Sequence, residues 1–336
     1  MDIRNRRALK QAAAETLAAT PNQSQIIALY AGGNLLAVLC VTLLDYLLDG
    51  MIAKTSGLSN MGSRMILQTI QTVLPILQTA ALLFWDYGYI SLILGISRRR
   101  SQDPRELVSG FRLLGPIFRL TLLQYAITFV VTFASVYLAM MVFMFSPFSN
   151  AISQALIPMM ENAISITEMA ADPAVAAAVS GASIPLLLIL LVIYCALAVP
   201  VLYLFRMASY CLLDDPRAGA LRALGRSRMM MRHNRRHLLK LDLSFWWYYL
   251  LSLVPMAICY GDWLLPMLGI SLPMSETASY FLFYGLYIVA QFLYSYFFQN
   301  QVEVTYAYAY EALIPPPPPQ PEPQQNGVVL GNIFQM

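Results

Sequence analysis

The chain has 336 residues, of which 58% are hydrophobic and 12% are charged. Soluble globular chains carry about 25% charged residues, so this composition argues against a soluble domain and indicates a membrane protein. The net charge of +3 carries little information as a sum, because the basic residues are concentrated in a few segments.

The first predicted element is a basic amphipathic helix within residues 1–25, where Ile3, Leu9, Ala13 and Leu17 keep close to helical spacing. Such a helix can lie in the headgroup region of a membrane; a solvated helix that leads into the membrane is the alternative. The segment is too polar for a cleaved signal peptide, so we expect the first span to stay in the mature chain.

Six membrane-spanning helices follow within a predicted membrane domain of residues 26–313. A helix needs roughly 20 apolar residues to cross the ~30 Å hydrocarbon core. The predicted spans are 26–48, 67–97, 117–145, 184–213, 241–260 and 277–299.

Three segments outside the spans have their own character. Residues 146–183 form a long outer loop, of which 151–166 is apolar enough to dip into the interface. Residues 214–240 form a basic segment. Residues 314–336 are rich in proline, which predicts an extended flexible tail that either docks a partner or only aids solubility.

Lysine and arginine predict the orientation, because short loops rich in them stay in the cytoplasm. Basic residues fill the N-terminal segment, the loop after span two and the segment after span four, whereas the alternate loops contain only Lys54 and Arg64. An all-α bundle of six helices with both termini in the cytoplasm fits this pattern. A bacterial cytoplasmic membrane is the expected location.

The basic segment is the first candidate site. An amphipathic basic helix beside a membrane attracts anionic lipid at about 1 kcal/mol per basic residue. Binding of anionic headgroups or of a protein partner is therefore one hypothesis, and a helix that merely obeys the positive-inside rule is the other. The candidate residues are Arg217, Arg222, Arg226, Arg228, Arg232, Arg235, Arg236 and Lys240.

Polar groups inside the spans form the second candidate site. A carboxylate deep in a bilayer usually faces a partner or water, and a pair of Asp86 with Arg206 would neutralise both charges as a clamp or as part of a relay. Span six carries Tyr280, Tyr284, Tyr287, Gln291 and Tyr294 on one face. That face either packs within the bundle or lines a polar cavity.

Familiar catalytic motifs are absent from the sequence. It has no phosphate-binding loop, no zinc-protease motif and no plausible pairing of a nucleophile with a base. Its four cysteines are scattered singly, which fits neither a metal site nor a disulfide framework. We therefore expect no catalytic residues, metal or cofactor, and no nucleic-acid partner, because no base-reading module is present.

The basic segment also resembles a known family. Asp214 and Pro216 match an acidic-x-Pro motif, and Leu243, Ser244 and Phe245 match Leu-Ser-Phe. Asn234 stands in a Gly-Asn-Lys motif whose glycine is replaced here by His233. A serine–methionine run is matched by Ser227, Arg228, Met230 and Met231.

In this order the motifs resemble the bacterial integral membrane family called domain of unknown function nine-seven-five. The resemblance covers about residues 67–298 and implies six helices but no activity. Two functional hypotheses follow. The first is a non-enzymatic membrane component that binds anionic lipid or a protein through its basic face. The alternative is a small-molecule or lipid transporter with a polar cavity inside the bundle.

Overall fold

A computed structural model of the chain describes residues 3–55, 61–100, 103–161, 173–267 and 274–314. Within these ranges every regular element is a helix. The α-helices are α1 (Arg6–Ala19), α2 (Gln23–Lys54), α3 (Met61–Ser97), α4 (Leu114–Met144), α5 (Pro147–Glu161), α6 (Pro173–Leu202), α7 (Ala208–Asp214), α8 (Gly219–Met231), α9 (Arg235–Leu243), α10 (Trp246–Cys259), α11 (Gly261–Met267), α12 (Glu276–Tyr294) and α13 (Asn300–Leu313). Shorter 3-10 helices cover Pro104–Leu113, Tyr203–Phe205 and Pro216–Ala218, and a π-helix covers Ser295–Gln299.

Among the described residues, five helical stretches are long and apolar enough to cross a membrane. They are Gln23–Lys54, Met61–Ser97, Pro104–Met144, Val179–Asp214 and Ala278–Leu313. A sixth span results if α9 and α10, which meet at a bend of 57°, are counted as one. The chain is therefore an all-α polytopic bundle, as the sequence predicts.

The segment after span two folds back onto it without any space between the backbones. A Cβ atom on Gly88 of α3 would lie 1.9 Å from the carbonyl oxygen of Leu107. A Cβ atom on Gly110 would lie 1.9 Å from the carbonyl oxygen of Phe84. Only glycine permits this approach, so these two residues fix the 3-10 helix Pro104–Leu113 against α3.

Helix α1 packs against α13 with its apolar face, so that Leu9, Ala13 and Leu17 are buried in protein. The hydroxyl groups of Thr16 and Tyr308 lie 2.6 Å apart across this contact. The apolar face of α1 therefore contacts protein and is not free to enter the headgroup region. We call the end formed by α1, α7–α9, α13 and the 3-10 helix Pro104–Leu113 the basic end.

At the opposite end, α5 lies within the predicted outer loop, and residues 162–172 fall outside the described ranges. The expected membrane dip of residues 151–166 therefore lies only partly within the described chain. The proline-rich tail falls outside it from residue 315 onward. Helix α3 continues through Pro75, where the Thr79 hydroxyl donates to the Pro75 carbonyl at 2.8 Å.

Candidate functional site

Asp214 joins three elements at the basic end. Arg98 Nη2 lies 2.8 Å from its Oδ1, and Arg226 Nη2 lies 3.4 Å from its Oδ2. Tyr310 donates to the same Oδ2 at 3.3 Å. Arg98 also binds Glu311, with 2.7 Å between Nε and Oε1. The acidic residue of the family motif therefore connects the ends of α3 and α7 to α8 and α13.

This network stabilises the charged form of Arg98. Burial alone would lower the pKa of the Arg98 guanidinium, but its hydrogen bonds to Glu311 and Asp214, together with their charges, raise it. Two carboxylates and two arginines, Arg98 and Arg226, thus neutralise each other in a partly buried position, where an unpaired charge would be costly.

Pro216 and Gly219 redirect the chain from α7 into α8. Pro216 opens a short 3-10 turn, in which Asp215 accepts a hydrogen bond from the Ala218 amide at 3.3 Å. Gly219 has a φ of +79°, in the left-handed region where glycine is favoured. The turn therefore separates α7 from α8 and sets the direction in which α8 begins.

Other residues of the family motif fix α8 and the turn after it. The Ser227 hydroxyl is fully buried and donates to the Leu204 carbonyl at 2.9 Å, and Met231 is also fully buried. Asn234 Nδ2 donates to the Met230 carbonyl at 2.9 Å. These motif residues therefore have structural contacts in the fold.

The cations of the basic segment divide into two groups. Arg226 binds Asp214, and half-buried Arg235 donates through Nη1 to the Pro200 carbonyl at 3.3 Å. The remaining side chains are exposed, and within the described residues none of them lies within 4.0 Å of a carboxylate. They are Arg217, Arg222, Arg228, Arg232, Arg236 and Lys240.

Three of the arginines converge on one pocket, which we call the basic pocket. It has a volume of about 600 Å³ and is lined by Arg232, Arg235 and Arg236 with His233 and Pro200. It shares Val199, Tyr203 and Leu239 with a larger groove of about 780 Å³. A pocket of positive charge thus opens into a second, mainly apolar space.

This second space, the interhelical groove, runs between α4, the end of α6 and the start of α10. Ile127, Leu202 and Leu243 supply apolar walls, and Trp246 stands beside them. Leu243 is 62% exposed and Trp246 is 64% exposed. Exposed apolar side chains at the start of a span are expected to contact lipid chains. Tryptophan is common at this level, where the membrane meets water.

Asp242 lies in the wall of the groove and organises a cluster of tyrosines. The Tyr306 hydroxyl donates to Asp242 Oδ1 at 2.5 Å, and the Tyr203 hydroxyl donates to Oδ2. The hydroxyl groups of Tyr249 and Tyr306 lie 3.0 Å apart. The guanidinium of Arg206 stands 5.3 Å from the Tyr306 ring centre. Asp242 thereby connects α9 to the end of α6 and to α13.

Lys10 fastens α1 to the Leu-Ser-Phe motif. Its Nζ donates to the Ser244 carbonyl at 2.8 Å and lies 3.8 Å from the centre of the Phe245 ring, which is buried. Partial burial, together with the charge of Arg6, lowers the pKa of Lys10. The motif residues Ser244 and Phe245 therefore bind the N-terminal helix, while Leu243 faces the groove.

The expected pair of Asp86 and Arg206 is not formed. Asp86 Oδ1 accepts a hydrogen bond from the Tyr30 hydroxyl at 2.8 Å. Arg206 instead faces the Tyr306 ring and lines a small pocket together with Glu303. Asp86 and Arg206 lie on helices that contact different neighbours. The spacing of residues along the chain does not show which helices come into contact.

The predicted stripe on span six divides among three environments. Tyr284 hydrogen-bonds Thr42 of α2 and stacks on Tyr280, which is 46% exposed. Tyr294 stacks on Tyr248 of α10 with 5.1 Å between ring centres. Between these two contacts, Tyr287 and Gln291 line a cavity with Asp86. Packing and cavity lining, which the sequence left as alternatives, both occur on this face.

Sequence reasoning missed Asp242, Tyr306 and Tyr30, which carry much of the polar network. The signal for Asp242 was present, because it is an isolated acid inside the apolar run that leads into a span. Tyr306 and Tyr310 repeat the tyrosine pattern of span six beyond its predicted end. Tyr30 gave no signal, since a single tyrosine near the start of a span is common.

The family model described as "Protein of unknown function (DUF975)" matches residues 22–291. The match covers the first five predicted spans and the sixth up to residue 291, so that residues 292–299 of the sixth lie beyond it. No curated protein and no solved structure shows a significant similarity to the chain.

Proposed function

The chain belongs to the DUF975 family of proteins of unknown function, and from this premise we propose that it is a non-enzymatic membrane component that binds anionic phospholipid. In this proposal the basic end faces the cytoplasm of a bacterial cell. The headgroup occupies the basic pocket, and an acyl chain lies in the interhelical groove.

The observation that carries the proposal is the junction of the basic pocket with the groove. Arg232, Arg235 and Arg236 surround a space of about 600 Å³ that continues into apolar walls. A soluble anion would need only the first part of this site. A phospholipid fits both parts, because its phosphate seeks cations and its chains seek apolar surface.

Local charge supports the same conclusion. Asp214 and Glu311, two acids close to the basic segment, are already bound by Arg98 and Arg226. Hence the exposed arginines of α8 and α9 keep their charge available for an external anion. At about 1 kcal/mol per basic residue near an anionic surface, two pocket arginines contribute about 2 kcal/mol, or roughly 30-fold in affinity.

The test compares two double variants that lose the same charge. Arg232→Gln/Arg236→Gln removes two cations of the basic pocket, and Arg217→Gln/Arg228→Gln removes two exposed cations of the same segment that do not line it. Each protein is reconstituted in nanodiscs of phosphatidylglycerol and phosphatidylcholine. Native mass spectrometry then counts the lipids of each class that stay bound.

We expect the wild-type protein and the Arg217/Arg228 variant to retain phosphatidylglycerol, and the pocket variant to lose it. Equal loss in both variants would mean that charge attracts lipid without a defined site. Equal retention in both would refute the proposal. A protein subunit retained in place of lipid would support the protein-partner form of the hypothesis instead.

A further inference from the structure

A separate cavity lies inside the bundle, away from the basic pocket and the groove. It has a volume of about 270 Å³ and is bounded by α2, α3, α12 and the π-helix Ser295–Gln299. We call it the Asp86 cavity, because Asp86 is the single acidic residue among the described residues that line it. One water occupies about 30 Å³ in the liquid, so the cavity can hold a small organic molecule.

Two residues in the lining carry acceptor oxygens that the described contacts leave incompletely bonded, Asp86 and Asn34. Asp86 Oδ1 receives one bond, from Tyr30, and Gln299 Nε2 donates to the Tyr30 hydroxyl at 3.4 Å. In the described part of the chain, no lysine, arginine or histidine lies within 4.0 Å of the Asp86 carboxylate. Asn34 Oδ1 is buried against this space without a hydrogen-bond partner. Such groups are costly in a membrane unless a donor satisfies them.

Aromatic residues complete the lining. Tyr287 and Phe292 contribute rings to the walls, whereas the ring of Tyr30 is buried and stacked on Tyr89. An aromatic face attracts a cation electrostatically. Gln291 adds an amide at the same level. A carboxylate, amide oxygens and aromatic rings are together the groups that recognise an organic ammonium ion.

The π-helix Ser295–Gln299 is a second sign of a binding site. It interrupts the last span where Ser295 and Gln299 line the cavity. Single-turn π-helices inside α-helices occur frequently at functional sites, because the widened turn alters the backbone hydrogen bonds. The π-helix therefore borders the same cavity as the Asp86 carboxylate, which has no cationic partner among the described residues, and as Asn34, whose Oδ1 has no hydrogen bond.

A metal ion fits the lining less well than an organic cation. The described residues contain no group of three or more histidine, cysteine, aspartate or glutamate side chains that could hold one. Ca²⁺ and Mg²⁺ generally require six or more oxygen ligands at short distances, often from several carboxylates. One carboxylate in a space of about 270 Å³ suits a single positive charge on a larger body.

We propose that the Asp86 cavity binds a small primary ammonium compound. Asp86 is the counter-ion, Asn34 Oδ1 accepts an N–H bond, and the ring of Tyr287 covers the cationic group. The site shares no lining residue with the basic pocket or the groove. Its existence does not depend on lipid binding, and it supplies the cavity that the transport hypothesis requires.

Isothermal titration calorimetry on the full chain in nanodiscs tests the proposal, with n-butylammonium as the probe and uncharged n-butanol as its analogue. We expect saturable binding of n-butylammonium to the wild-type protein and no heat of binding from n-butanol. Asp86→Asn keeps the shape of the side chain and should weaken binding at least tenfold. Asp49→Asn removes an exposed acid whose one hydrogen-bond partner among the described residues is Gln71, and should leave the affinity unchanged.

Asn34→Leu provides a second variant that leaves the carboxylate in place. It removes an amide that contacts the Tyr30 hydroxyl and whose Oδ1 has no hydrogen-bond partner among the described residues. We expect the protein to fold and to bind n-butylammonium several-fold more weakly. Absence of saturable binding to the wild-type protein would overturn the proposal. So would n-butanol binding of equal strength, or equal affinity in the Asp86→Asn and wild-type proteins. Loss of phosphatidylglycerol retention alone would leave this site standing.

Discussion

The replacement of Asp242 by asparagine tests how the cluster at the groove holds α9 in place. Each carboxylate oxygen of Asp242 accepts a hydrogen bond from a different tyrosine, Oδ1 from Tyr306 and Oδ2 from Tyr203. Asparagine has only one acceptor oxygen. The NH₂ group of asparagine would face one of the two tyrosine hydroxyl groups. That hydroxyl group could no longer donate to residue 242 and would lose its acceptor.

Hydrogen bonds to a charged group contribute about 1.5–3 kcal/mol, and neutral ones about 0.5–1.5 kcal/mol. Asp242→Asn loses one charge-assisted bond and keeps the other only in neutral form, so we expect a cost of about 2–4 kcal/mol. Tyr306→Phe should cost about 1.5–3 kcal/mol. In the double variant the asparagine oxygen can serve Tyr203 alone, and the cost should fall below the sum by about 1–2 kcal/mol.

Equilibrium unfolding in mixed micelles, followed by tryptophan fluorescence, measures the four free energies of unfolding. Tyr125→Phe is the control, because Tyr125 is 65% exposed on α4 and its hydroxyl group has no hydrogen bond to another described residue. We expect the control to lie within about 0.5 kcal/mol of the wild type. Strict additivity of Asp242→Asn and Tyr306→Phe would refute a shared hydrogen bond.

Three further predictions concern the contacts around the basic end. Gly110→Ala should lower the free energy of unfolding by more than about 3 kcal/mol, because its Cβ would overlap a backbone carbonyl. Gly115→Ala, with open space around the Cβ, should be neutral or stabilising by up to about 1 kcal/mol. Unfolding titrations of both variants measure the difference. Asp214→Asn should cost about 1–3 kcal/mol by weakening both arginine contacts, and thermal unfolding that is unchanged would contradict the network. Lys10→Met should release α1 and speed its proteolysis, while Lys54→Met, an exposed residue, should not.

The sequence determined the fold class, because the free energy of placing a helix in a membrane depends on local composition. Runs of about 20 apolar residues predict crossings whatever their neighbours are. Span one was predicted as 26–48, and α2 covers Gln23–Lys54 around it. The same property marked the basic segment, since a cluster of arginines is visible without any tertiary information. The orientation rests on that clustering and stays a prediction.

Local motifs also identified residues without revealing their partners. Asp214, Ser227 and Phe245 were marked by their order in the chain, yet their roles depend on Arg98, the Leu204 carbonyl and Lys10. These contacts join residues far apart in sequence. A motif can therefore say that a position matters to the fold before it says what the position touches.

The tertiary structure alone decided how the polar groups are paired. The sequence predicts a pair of Asp86 and Arg206, because both lie deep in predicted spans. In the packed bundle Asp86 instead accepts a hydrogen bond from Tyr30, and Arg206 lies over the Tyr306 ring. The tyrosine stripe was similarly divided between packing and a cavity. Hydropathy depends on each residue and its immediate neighbours, whereas pairing depends on which helix faces meet, and that choice is made by the close packing of the whole bundle.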